Sequence, residues 1–63
     1  MYKVVVLAHN LKETKTEPVP MSERSHESLG HLLARAGHDI DIFMDRGGFK
    51  NWSLTIEISE VRE

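Results

Sequence analysis

The chain has 63 residues, 40% apolar and 29% charged, with a net charge of −2 and no cysteine. That length allows one domain with a small core, and without cysteine neither a disulfide framework nor a thiolate metal site can supplement it, so self-association is the most available extra source of burial. The composition is that of a folded domain, no apolar run reaches the roughly 20 residues of a membrane span, and Met1-Tyr2-Lys3 is not followed by a signal-peptide core, which predicts a cytoplasmic protein with no membrane partner.

Residues 2–11 (YKVVVLAHNL) contain a β-branched run apolar on both faces and predict a strand in the interior of a sheet. Residues 12–20 (KETKTEPVP) have no apolar side chain before Val19 and hold Pro18 and Pro20. They predict either a loop or a polar edge strand that pairs back onto the first.

A helix is predicted over 23–36, capped by Ser22 or Ser25, with Glu23 or Glu27 in its first turn and Gly37 as its stop. Leu29, Leu32, Leu33 and Ala36 recur at i, i+3, i+4 and i+7 and make an apolar stripe, while Arg24, Glu27, His31 and Arg35 lie opposite. Gly30 is unfavourable in a helix by about 1 kcal/mol relative to alanine, and close packing of helix on sheet is the expected reason.

Residues 38–61 show the strongest pattern. Ile40, Ile42 and Met44 alternate with Asp39, Asp41, Phe43 and Asp45, and beyond Arg46-Gly47-Gly48-Phe49-Lys50 the series Trp52, Leu54, Ile56, Ile58 alternates with Ser53, Thr55, Glu57, Ser59. Period-two alternation around a Gly-Gly turn predicts a β-hairpin, and parity requires a loop with an odd number of residues if both apolar sets are to share a face. The predicted fold is therefore α+β: a single small domain over 1–63, β(β)αββ, with a mostly antiparallel sheet and one helix on one face.

Charge is uneven along the chain, with Arg35 alone against Glu27, Asp39, Asp41 and Asp45 between residues 25 and 45. On a strand, Asp39, Asp41 and Asp45 would form an acidic face with Phe43 beside them and Glu57 nearby, suited to a basic protein or to the site of a nucleic-acid-binding one. Arg46, Phe49 and Lys50 combine cations with an aromatic ring at a loop tip before Trp52, a chemistry that also suits nucleic-acid contact. The four histidines do not show the spacing of local metal-ligand pairs, and no nucleophile elbow, phosphate loop or dinucleotide fingerprint is present, so no catalytic residue, metal ligand or cofactor is expected.

The expected function is a small non-enzymatic protein-binding module, of the kind that phage and mobile elements use as inhibitors or regulators, acting through its acidic sheet surface. A nucleic-acid-binding module using Arg46 to Trp52 is the first alternative, and a small metal-dependent enzyme the second. A homodimer is expected because Val5 and Leu7 alternate with Val4 and Val6, so one pair must lie on the sheet face without a helix, where Phe43 would extend it.

Overall fold

The computed structural model describes residues 1–13, 17–47 and 50–62. Three strands and one helix follow each other as β1 (Tyr2–Asn10), β2 (Val19–His26), α1 (Leu29–Asp45) and β3 (Trp52–Glu60). The sheet has the order β2-β1-β3, with β1 antiparallel to both neighbours. The expected α+β class with a helix on one face is what forms, and the two outer strands run parallel to each other with β1 inserted between them.

β1 occupies the centre because its branched run supplies apolar side chains to both faces. Val4, Val6 and Ala8 are buried beneath the helix, while Val5 and Leu7 are half-buried on the opposite face. The other half of the core comes from Leu32 and Ala36, with Met21, Leu29, Ile40 and Leu54 packed around it. Leu29, Leu32 and Ala36 of the predicted stripe thus face the sheet, but Leu33 lies to one side and is exposed.

Residues 12–20 do not form one element. The polar edge strand exists, but it runs over Val19–His26 and takes in the residues predicted to begin the helix. Its register with β1 skips Met21, since Val6 lies opposite Ser22 and Leu7 opposite Pro20. This bulge accommodates a proline within the strand and lets Met21 reach the core.

The helix is displaced by about two turns from the predicted 23–36 and covers Leu29–Asp45. Ser28 caps it, its hydroxyl oxygen accepting from the His31 N–H at 3.3 Å, while Ser22 and Ser25 lie in β2. Gly37 does not stop it. Ile40 and Phe43 continue the stripe of Leu29, Leu32 and Ala36, so the segment that alternates as a strand also satisfies helical spacing. The helix ends instead at Gly47, whose φ of 76° is the left-handed conformation that glycine adopts without strain, and whose N–H donates to the Met44 carbonyl at 2.9 Å.

The predicted hairpin over 38–61 is therefore replaced by a helix followed by a strand. β3 pairs with β1 along its whole length without a bulge, from Tyr2 opposite Glu60 to Asn10 opposite Trp52. Gly48, on which the predicted turn was centred, lies outside the described residues.

Candidate functional site

The acidic residues do not share a surface. Asp39 faces β2, where its carboxylate accepts from the Ser22 hydroxyl at 2.7 Å and from the Arg24 guanidinium at 3.2 and 3.4 Å. Arg24, and then Ser22, hold the Asp39 carboxyl below its ordinary pKa. Asp41 and Asp45 are exposed on α1, and Glu57 is exposed on the sheet face away from the helix, opposite Val5. The predicted acidic sheet face is thus divided, because 39–45 is helical and successive residues turn by about 100° rather than 180°.

Phe43 also leaves its predicted place beside Val5 and Leu7. It sits on the helix side of the sheet, edge-on to Trp52 with ring centroids 6.4 Å apart. Trp52 is half-buried in this pair, at the α1–β3 connection. Arg46 and Lys50 are exposed there, and Phe49 lies outside the described residues. An open cleft between β2 and α1 places Arg46 near Arg24 and Asp39, with Ile42 and Phe43 on its wall.

Three of the four histidines, His9, His26 and His31, make local contacts. His26 Nδ1 accepts the Ser28 N–H at 2.9 Å and its ring stacks on His31 at 4.3 Å, fixing the turn into the helix. His9 Nε2 lies 3.0 Å from the Thr55 hydroxyl across the strands. Among the described residues, no three of the His, Cys, Asp and Glu side chains converge as metal ligands, and no helix is long and apolar enough to cross a membrane.

A different surface emerges from the way the helix is seated. Its backbone lies over β1 and β2 rather than β3, which it meets through the Phe43–Trp52 ring pair at one end. Leu54, Ile56 and Ile58 stand beside Ala8, Val6 and Val4 on the same sheet face, but beyond the helix, and Ile56 and Ile58 are 44% and 51% exposed. Asp39 faces β2, and at about 100° per residue Leu33, Ile40 and Met44 fall on the flank of α1 away from it. Leu33 and Met44 are 41% and 49% exposed. Leu33 and Met44 on the helix and Ile56 and Ile58 on β3 thus leave an exposed apolar half-face beside the core, with Ile40 and Leu54 partly buried at its inner margin. Its signal in the sequence is the excess of apolar positions over those that a single helix can cover, hidden by the strand-like alternation of 38–45.

No family model, curated protein or solved structure matches the chain.

Proposed function

We propose that the chain is a non-enzymatic protein-binding module that acts by surface contact, as a small inhibitor or regulator does, and that its contact surface is the bare half-face of Leu33, Met44, Leu54, Ile56 and Ile58. The observation that carries this is the exposure of Ile56 and Ile58 beside a core made of the same face of the sheet. Contiguous exposed apolar side chains on a small domain mark an interaction surface more often than scattered ones do. Of the acidic residues, Asp39 is engaged by Arg24 and Ser22 within the fold and Glu57 lies on the opposite face of the sheet.

A photo-crosslinking amino acid at Ile58, compared with one at Glu27 on the exposed turn before the helix, tests the assignment in host extract. Crosslinks confined to position 58 and removed by Ile56→Lys are expected. Equal labelling from both positions, or labelling that survives Ile56→Lys in a folded variant, would overturn it.

A further inference from the structure

The two edges of the sheet differ in kind. β2 carries Pro20, a bulge at Met21 and the charged pair Glu23 and Arg24, all of which hinder the pairing of another strand. β3 has neither proline nor bulge: its nine residues contain no lysine or arginine, its charges are Glu57 and Glu60 alone, and it pairs with β1 without irregularity.

The backbone of β3 is also aligned for a further strand. Leu11 N–H donates to the Asn51 carbonyl at 2.7 Å and Val61 N–H to the Met1 carbonyl at 2.8 Å. Hydrogen-bonded pairs alternate along an antiparallel ladder, so the odd-numbered residues from Asn51 to Val61 direct their polar groups at β1. Trp52, Leu54, Ile56, Ile58 and Glu60 consequently direct theirs outward, where no strand among the described residues meets them. These are also the residues on the half-bare face.

The shape of the chain points the same way. Its accessible surface is 4823 Å², against about 4,100 Å² for an ordinary folded chain of this mass. Its radius of gyration is 12.6 Å, against about 10.6 Å for a compact chain of this length.

We propose that two copies of the chain pair β3 to β3 about a twofold axis at Ile56, giving a six-stranded sheet in the order β2-β1-β3-β3-β1-β2 with both helices on one face. This rests on the bare half-face being a contact surface and names its first occupant. With Ile56 opposite its own symmetry mate, all nine residues of β3 are paired. Leu54 then meets Ile58, Ser53 meets Ser59, and Glu57 meets Thr55, so no like charges oppose each other within the strand. Moving the axis by one residue to Glu57 would set that carboxylate against its own copy. Closure leaves only the two β2 strands as edges, both of them protected.

Sedimentation of the full chain is expected to give twice the 7.2 kDa protomer mass at micromolar concentration. Ile56→Pro, which removes an outward N–H and leaves the ladder to β1 intact, should return a folded protomer. The register has its own test in a chain without cysteine: Thr55→Cys and Glu57→Cys proteins, mixed and oxidised, should form a disulfide-linked pair. Opposed residues of a non-hydrogen-bonded pair lie about 4.5 Å apart at Cα, whereas identical positions lie beyond the reach of a disulfide. Either variant alone should therefore remain unlinked.

A protomer mass across the micromolar range, or linking of each variant with itself as fast as in the mixture, would overturn the pairing. If the chain is a protomer and position 58 still crosslinks a foreign protein, only the self-pairing is lost. If it crosslinks nothing, the reading of the face falls as well.

Discussion

The carboxylate of Asp39 on α1 accepts a 2.7 Å hydrogen bond from the hydroxyl of Ser22 on β2, and this bond sets the helix on one side of the sheet. β2 offers no apolar row to the helix, since its inward positions include Ser22 and Arg24. A polar latch therefore joins Met21 in holding that edge, and the flank of the helix that carries Leu33 and Met44 is left exposed.

Removing the latch should loosen the helix without emptying the core. Asp39→Ala is expected to cost about 1–2 kcal/mol, since bonds to a charged group contribute more than neutral ones but this group is partly open to water. The pH dependence follows from the carboxyl's lowered pKa. A carboxyl with a depressed folded pKa contributes stability above its unfolded value and loses it as pH falls through the folded value. Urea unfolding of the wild type should therefore weaken below about pH 4, the ordinary aspartate range, and Asp39→Ala should remove part of that dependence. An unchanged acid profile in the variant would show that other carboxylates carry it.

The two adjacent leucines of α1 should separate sharply. Leu32 is 1% exposed against Val4 and Val6, and Leu32→Ala is expected to cost about 2–5 kcal/mol, enough to unfold a domain of this size under ordinary conditions. Leu33→Ala should cost clearly less, about 1 kcal/mol in the protomer, since 41% of its surface is already exposed. Chemical denaturation below the association concentration checks this. Equal losses would place the helix in the wrong rotation.

Glycine substitutions test the helix bounds. A methyl group at Gly37 would meet nothing within 4 Å, and one at Gly30 only the Ser28 hydroxyl at 3.9 Å. Close packing is thus not what places Gly30 in the helix, and each change to alanine should stabilise the domain by up to about 1 kcal/mol. Gly47→Ala should instead destabilise it by about 1 kcal/mol, because the left-handed backbone there penalises a Cβ. A destabilising Gly37→Ala would favour a helix that stops near that residue.

These substitutions also mark how far the sequence could be read. The fold class, the central place of β1 and the burial of Leu32 and Ala36 were legible because each rests on an unambiguous periodicity. Residues 38–45 were not, since Ile40 and Met44 stand both two steps apart by strand counting and one turn apart by helix counting. What decides between these is tertiary: β3 finds its full-length partner in β1, and Asp39 finds Arg24 and Ser22 only on a helix. β2 was hidden for a related reason, because a strand whose inward residues bind a carboxylate has no apolar alternation to show. Asp39, Asp41 and Asp45 lose their common sheet face because the segment that carries them is helical, whereas the apolar row of β3 is visible in its alternation and only the seat of the helix decides that Ile56 and Ile58 stay exposed.

The remaining acidic residues of α1 should behave in the opposite sense to Asp39. Asp45 closes the last turn of the helix, which holds no basic residue, so its charge opposes the negative end of the helix dipole. Asp41 lies one turn earlier on the exposed face and adds to the same repulsion. Asp45→Asn is expected to stabilise the domain by about 0.3–1 kcal/mol at low ionic strength and Asp41→Asn by less, with both gains shrinking as salt screens the charges. Asp39→Asn should destabilise it, because the amide keeps an acceptor for Ser22 but loses the charge that Arg24 pairs with. Urea unfolding of the three single variants at low and high salt separates these signs. A uniform stabilisation would mean that all three carboxylates face solvent and that Asp39 holds nothing; a uniform loss would mean that Asp41 and Asp45 have partners within the fold.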